Sequence, residues 1–291
     1  MAVPVGRGKP GDRAAALELE QLEVELLLEG IHHRYGYDFR DYAPASLRRR
    51  LRRRMDGEGV ETISALQERV LHDSAVMARL LLDLSINVTA MFRDPTFFVA
   101  FRERVVPLLR TYPFSRIWVA GCSTGEEVYS LAIVLAEEEL ADRVRIYATD
   151  INETVLEQAR LGVFPLEKMQ EYTQNYLRSG GQRPFSDYYV ARYDGALFDR
   201  CLVENVLWAQ HNLVSDGAFN EFQAIVCRNV LIYFDKPLQE RVHSLFHESL
   251  ATFGIVALGQ KETIRFSPHE SEYEVLDPDE KLFRKVSPRT A

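Results

Sequence analysis

VAGCSTGEEVYSLAIVLAEEE, residues 119–139, reads as the end of a buried strand, a loop of small residues and a helix that opens on two glutamates. Strand, tight loop and helix in that order make the first half of a βαβ unit, and this sets the fold class. Loops of this build often cradle a phosphate at the helix N-terminus. A P-loop follows its last glycine with Lys and then Ser or Thr, whereas Gly125 is followed by Glu126 and Glu127. The dinucleotide pattern G-x-G-x-x-G is also absent, because Gly121 and Gly125 stand four apart. Two carboxylates would repel a triphosphate, so the loop suits the close approach of a ligand that carries no phosphate.

Outward from this loop, short apolar runs alternate with helical patterns. RIWVAG, RVRIYATD, VLWAQHNL, FQAIVCRNVLIYF and GIVALGQKE read as strands, and NETVLEQARLGVF and KPLQERVHSLFHESLA as helices. Such alternation predicts a mostly parallel sheet covered on both faces, with ligands beyond the carboxyl ends of its strands. The final YEVLDPDEKLFRKV predicts an antiparallel pair at a sheet edge, and the stretch at 95–113 is amphipathic and leads into the second part. Residues 170–204 interrupt the series. There YYVARY, an Asp194–Gly195 turn and ALFDRCLVE read as a hairpin, a small β insertion bearing Phe185, Tyr188, Tyr189 and Tyr193. Residues 17–85 read as helices and little else, and residues 1–16 as a disordered leader without the apolar core of a signal peptide. The expected domains are therefore 1–16, 17–85 and 86–291.

Composition bounds the function. The chain has 291 residues, 46% hydrophobic and 27% charged, with a net charge of −8, which argues against a generic nucleic-acid binder. Three dispersed cysteines form no CxxC pair, the seven histidines form no HExxH, and no metal site is expected. A reduced cytoplasmic compartment is the simple reading. Nothing approaches ~18 uninterrupted apolar residues, so no membrane insertion is expected.

Asp150 ends the strand after the acidic loop, where a carboxylate can accept both hydroxyls of a ribose. A nucleoside with a cationic tail and no phosphate fits loop and strand end together, and S-adenosylmethionine is such a molecule. Taken alone, Glu126 and Glu127 also suit the first turn of any helix, and Asp150 an ordinary strand end. The two features one βαβ unit apart favour a nucleoside site.

NVTAMFR (87–93), STGEEVYS (123–130), ATDIN (148–152), HNL (211–213) and CRNVLIYF (227–234) occur in this order after the helical region. In these the chain resembles the chemotaxis receptor methyltransferases, the CheR-type protein-glutamate O-methyltransferases, over nearly its whole length after the leader. The resemblance implies a Rossmann-like α/β fold of the S-adenosylmethionine-dependent methyltransferase class, with a mostly parallel sheet and a small β insertion, preceded by an all-α N-terminal domain. It implies that Asn87, Thr89 and Arg93 line the cofactor and substrate side. Glu126 would contact the methionine moiety, Asp150 the ribose, and Asn212 and Leu213 the adenine. Arg228 and Asn229 would end a central strand at the cofactor, and Tyr233 would lie beside the methyl-transfer centre. Arg93 and Tyr233 are the catalytic candidates. Met91 and Val128 stand where the family usually has Phe and often has Pro, and GQKE (259–262) replaces its late Gly-His-Ser-Glu.

The implied partner is the cytoplasmic domain of a methyl-accepting chemoreceptor, with a docking peptide at the β insertion. Leu47, Leu51 and Met55 make one apolar stripe of a helix whose remaining surface carries Arg48, Arg49, Arg50, Arg52, Arg53 and Arg54. Arg48, Arg49, Arg52 and Arg53 are the partner-binding candidates for an acidic receptor surface. Two other classes fit parts of the pattern: a methyltransferase acting on RNA or a small molecule, and a non-catalytic S-adenosylmethionine-binding signalling scaffold.

Overall fold

A computed structural model describes residues 10–84 and 89–286, in two compact units, Met1–Ser85 and Ile86–Ala291. The first unit holds α1 (Pro10–Tyr35), α2 (Pro44–Glu58), α3 (Ile63–His72) and α4 (Ser74–Leu84). Helix α1 begins at Pro10, inside the stretch expected as a leader, and residues 1–9 lie outside the described residues. Its buried Val24, Leu27, Leu28 and Ile31 follow helical spacing, and α1 packs against α3, whose Leu66 and Val70 are also buried. Helix α2 starts with Pro44 in its first turn and stops at Gly59, which takes φ 65° and returns its N–H to the last carbonyls.

The arginines of α2 do not all face solvent. Leu47 and Leu51 are buried as expected, but so is Arg50, whose guanidinium donates to the carbonyl of Leu84. Arg54 is spent on Asp83 and Glu58. Arg48 and Arg52 pair with Glu20 of α1, Arg53 lies 3.5 Å from Asp83 with an 81% exposed side chain, and Arg49 is exposed. Acids from α1 and α4 thus neutralise much of a surface that the isolated helix presents as wholly basic.

The second unit opens with α5 (Pro95–Ala100) and α6 (Val106–Arg110). The stretch at 95–113 is not one regular helix, because residues Phe101–Val105 form a π turn just before Pro107. Proline has no N–H to donate, and the wider turn accommodates its ring. The strands and helices then run β1 (Ser115–Ala120), α7 (Glu126–Glu137), β2 (Val144–Asp150), α8 (Glu153–Leu161), β3 (Val163–Pro165), α9 (Met169–Arg178), β4 (Tyr189–Arg192), β5 (Gly195–Phe198), β6 (Val206–Gln210), β7 (Phe222–Cys227), α10 (Lys236–Ser249), β8 (Leu250–Leu258), β9 (Tyr273–Asp277) and β10 (Leu282–Lys285).

The seven-stranded sheet has the order β6-β2-β1-β7-β8-β10-β9; the first five strands are parallel, and β10 is antiparallel to both neighbours. Every residue of β7 is buried and five of six in β1, the pattern of strands covered on both faces. The order reverses between β1 and β7, which makes the carboxyl ends of these two strands the switch point where an α/β sheet opens a crevice.

The β insertion is larger than expected and begins earlier. A separate sheet, β3-β5-β4, includes β3 at Val163–Pro165, within the stretch read as helix, and β5 ends at Phe198, where a 3-10 turn replaces the expected strand. The tight turn is Tyr193–Asp194, because Arg192 pairs with Gly195. Phe185 and Tyr188 are buried, and only Tyr193 is almost fully exposed, at 97%. A Cβ at Gly181 would overlap the ring of Tyr176 at 2.2 Å. Gly181 and the buried Phe185 thus anchor the segment, while Gln182, Arg183, Pro184 and Ser186 are exposed.

A buried acid fastens this insertion to α7. The Glu137 side chain is fully buried and accepts from Tyr188 Oη at 2.8 Å, the Gln182 N–H at 3.0 Å, Tyr176 Oη and the Arg102 guanidinium. Burial alone would raise its pKa, but the bonds from Tyr176, Gln182, Arg102 and Tyr188 outweigh burial and hold it below the ordinary 4.5. Removing one partner of a buried, bonded ion pair typically costs about 3–5 kcal/mol, and Glu137→Ala is expected to lose that much in urea unfolding. A loss below about 1 kcal/mol would show that other contacts hold the insertion. Because the folded pKa is depressed, the stabilisation is complete above the ordinary value and disappears as pH falls through the folded one. Glu137→Gln should therefore flatten the acid limb of the stability–pH profile below pH 4.5.

Candidate active site

The parallel order places the ends of β6, β2, β1 and β7 side by side on one edge of the sheet. The loop after β1 turns through Gly121 at φ 76° and Gly125 at φ 94°. Side chains there would also collide: a Cβ on Gly121 would come within 2.6 Å of Val230, and one on Gly125 within 2.9 Å of Ala159. These glycines let the loop lie against α8 and the turn after β7, so that Asp150 meets the loop backbone. Asp150 is buried and accepts from the N–H of Ser123 at 2.9 Å and of Asn152 at 3.0 Å. A carboxylate offers about four acceptor positions, so capacity for hydroxyl donors remains.

The two glutamates that open α7 have different surroundings. Glu127 is neutralised by Arg228, whose Nη1 lies 2.7 Å from its carboxylate. Glu126 is buried and accepts from Thr124 Oγ1 at 2.6 Å and Tyr172 Oη at 3.4 Å, and among the described residues it forms no ion pair. Burial pushes the pKa of Glu126 up against these bonds, and burial does the same to Asp150 against its backbone N–H donors. Two buried carboxylates without a cation favour a ligand that brings positive charge. That is the fit expected for a nucleoside carrying a sulfonium and an ammonium, and it explains acid in a loop shaped like a phosphate cradle.

Arg228 ties the site together. It follows β7, its side chain is 2% exposed, and its guanidinium lies 4.0 Å from the centre of the Phe97 ring. Besides Glu127 it donates to Asp94 Oδ2 at 2.8 Å and to the carbonyl of Arg93 at 3.3 Å. Phe92 and Asp94, on either side of Arg93, sit in the left-handed region at φ 52° and 56°. Such residues cost of order 1–3 kcal/mol each and persist where their surroundings fix them. Here the fixing groups are Arg228 and Ser130, whose Oγ accepts the Phe92 N–H at 2.9 Å. Asn229, at φ 62°, is held by Glu262, which accepts the N–H groups of Asn229, Ile232 and Gly259 at 3.0, 3.3 and 2.6 Å.

Of the residues singled out in the sequence, the structure brings Glu126, Asp150, Arg228, Asn229 and Arg93 to this edge. Tyr233 is half-buried in the 3-10 turn after β7. Asn212 and Leu213 follow β6; the His211 N–H donates to the Asp150 carbonyl at 3.1 Å, and Asn212 Oδ1 caps the Val214 N–H at 3.0 Å. Thr89 is half-buried, and Asn87 lies outside the described residues. Arg48, Arg49, Arg52 and Arg53 belong to the other compact unit. Sequence reading missed Tyr172, Asp94 and Glu262 as members of the site. The visible signals were the Tyr172–Tyr176 spacing in α9, since residues four apart share a helix face, and the glutamate that closes GQKE (259–262).

Comparison with known proteins agrees with this geometry. Residues 87–279 match the CheR methyltransferase SAM-binding domain, and residues 22–85 the CheR methyltransferase all-alpha domain. The chain is 50% identical to the putative methyltransferase Cher3 of Pseudomonas putida, over 91% of this chain and 97% of that protein. It is 30% identical to the chemotaxis protein methyltransferase of Salmonella typhimurium, over 84% of this chain and 85% of that one. Among the described residues no helix is long and apolar enough to cross a membrane. An all-α domain followed by a SAM-binding sheet, with its acids and its arginine gathered at the switch point, places this chain in the CheR family of S-adenosylmethionine-dependent methyltransferases.

Proposed function

We propose that the chain transfers a methyl group from S-adenosylmethionine to glutamate side-chain carboxylates of a methyl-accepting chemoreceptor, forming glutamate methyl esters. The observation that carries the reading is the division of charge at the sheet edge. Asp150 and Glu126 are buried acids without a cation among the described residues, suited to a positively charged cofactor, while Arg93 is held nearby on a strained turn, suited to an anionic acceptor. Relatives named chemotaxis protein methyltransferase support the choice of acceptor.

S-adenosylmethionine, when bound, supplies the methyl group on a sulfonium. In this reading Asp150 holds the ribose hydroxyls, Glu126 the amino acid end, and Asn212 and Leu213 flank the base. A glutamate acceptor has a pKa of about 4.3 and is ionised near neutral pH, so no residue has to take its proton. Positioning is then the main contribution, worth up to roughly 7–11 kcal/mol in favourable cases. Arg93 orients the acceptor carboxylate through a planar guanidinium. Arg228 positions Arg93, and Tyr233 walls the same edge. Attraction between the ionic ground-state partners fades as charge cancels in the transition state, so alignment is more useful than tight pairing.

Docking of the receptor uses two further surfaces in this proposal. On α2, Arg49 and Arg53 face outward, whereas Arg48 and Arg52 share Glu20 and contribute less. In the insertion β4 pairs with β5 on one side only, and Val190 is 59% exposed, which leaves an edge for an added peptide strand.

Asp150→Asn should weaken S-adenosylmethionine and S-adenosylhomocysteine binding about tenfold or more, each charged hydrogen bond being worth roughly 1.5–3 kcal/mol. Unchanged affinity by calorimetry would remove Asp150 from the site. With labelled cofactor and a receptor cytoplasmic domain, label should appear as an ester that releases methanol in mild base. Arg93→Ala should lower kcat about tenfold or more while changing cofactor Kd less than about threefold, as expected of a group that acts on the acceptor. Base-stable label would exclude the ester product, and full activity in Arg93→Ala would exclude its role. Reversing Arg49 and Arg53 to Glu should raise the KM for receptor and leave cofactor affinity alone. An unchanged KM would exclude α2 as a docking surface.

A further inference from the structure

The edge of the sheet opposite the cofactor site carries a second constellation of polar side chains. His247 lies in the last turn of α10, His269 in the irregular segment after β8, and Glu272 just before β9. These parts of the chain meet beside the start of β8, where the Lys285 ammonium donates to the carbonyls of His247 at 2.7 Å and Leu250 at 2.9 Å. Since β8 runs from Leu250 toward Gly259 and Glu262, the cluster and the methyl-transfer edge lie at opposite ends of that strand.

The two imidazoles stack, with ring centres 4.1 Å apart and planes 3° from parallel. His269 Nδ1 lies 2.9 Å from Glu272 Oε1, and His247 Nε2 lies 3.4 Å from Glu272 Oε2. One ligand atom from each of the three residues falls within 4.8 Å of the others. A tetrahedral zinc site with bonds of about 2.0–2.2 Å sets its ligand atoms about 3.3–3.6 Å apart, close to the observed spacing, and because an imidazole lone pair lies in its ring plane, ligation requires one of the stacked rings to turn about its Cβ–Cγ bond. Two nitrogens and one carboxylate oxygen suit a borderline transition metal and are too few and too nitrogen-rich for calcium or magnesium.

The surroundings leave polar groups for a ligand to answer. His247 Nδ1 and Tyr273 Oη are buried there without a hydrogen-bond partner among the described residues, and Tyr273 packs edge-on to His247 at 5.6 Å. The Lys285 ammonium, a cation that opposes a metal, is already directed at two carbonyls. Side-chain exposures of 14%, 24% and 29% for His247, His269 and Glu272 leave room for entry and for a water as fourth ligand.

We propose that His247, His269 and Glu272 form a binding site for one divalent transition-metal ion of the zinc class. The ion staples the end of α10 to the irregular segment that precedes β9. The site is independent of methyl transfer, because none of the three residues belongs to the cofactor edge. Its expected effect is on stability, since the segment 259–272 contains turns and one 3-10 helix, Glu270–Glu272, but no α-helix or strand.

Chelator-treated full-length protein should bind one equivalent of Zn2+ in calorimetry. Its melting temperature should rise by roughly 5 °C or more at saturating metal, as binding to the folded state alone requires. Co2+ should give visible absorption of a site without thiolate. His269→Ala and Glu272→Gln should each weaken Zn2+ binding about tenfold or more. Both should keep the far-ultraviolet circular dichroism and the S-adenosylhomocysteine affinity of the parent. Absence of a stoichiometric Zn2+ isotherm in the parent would overturn the site. So would unchanged Zn2+ affinity in both variants, since the ion would then be held elsewhere. Because S-adenosylhomocysteine binding is read separately, failure of the metal site leaves the methyltransferase reading untouched, and the reverse holds as well.

Discussion

The site depends on the guanidinium of Arg228. A single buried cation accepts the proximity of Glu127 and Asp94, caps the carbonyl of Arg93 and lies over the ring of Phe97. A buried charge is tolerated only when it is paired and bonded, and here the pairing also performs construction. It joins the strand at the middle of the sheet to the first turn of α7 and to the strained turn that carries Arg93. It also sorts the acids. With Arg228 committed to Glu127, neighbouring Glu126 and Asp150 are left as the negative charges that a cationic nucleoside can answer.

A second buried ion-pair group, around Glu137, does for the β insertion what Arg228 does for the loops. Tyr176 and Tyr188 from the insertion and Arg102 from the π turn between α5 and α6 converge on one carboxylate at the end of α7. The same helix thus has its first turn in the cofactor edge and its last turn fastened to the insertion. Tyr172 adds a direct reach from the insertion back to Glu126. The insertion is therefore a wall of the site as well as an outer surface.

What could be read from sequence followed from burial. Strands covered on both faces become unbroken apolar runs, so β1, β2, β7 and β8 stood out, and with them the loop and strand-end residues Gly121, Gly125, Asp150 and Arg228. The family motifs supplied roles for positions that periodicity cannot rank, such as Arg93 and Asn212. What escaped notice depends on distant partners. Asp94 and Glu262 look like ordinary surface acids until Arg228 and the turn after β7 meet them. Strand β3 has three residues ending in proline, too short for any periodic signal. The basic face of α2 looked open because its neutralising acids, Glu20 and Asp83, lie on other helices. His247 and His269, 22 positions apart, carry no spacing motif that would have joined them.

The ties made by Arg228 span 101 and 134 positions along the chain. A contact of that separation forms only after the intervening polypeptide exists and has folded back, and its loop-closure entropy delays it further. During synthesis, the glycine loop and Asp150 emerge long before the arginine that disciplines the turn ahead of them. Glu262, which fixes the residue after that arginine, emerges later still. A nascent chain halted before β7 would hold the cofactor-facing loops without the residue that locks them. Competence for cofactor thus arrives late and together with the central strand, so an incomplete chain has little chance of sequestering S-adenosylmethionine in a half-built site.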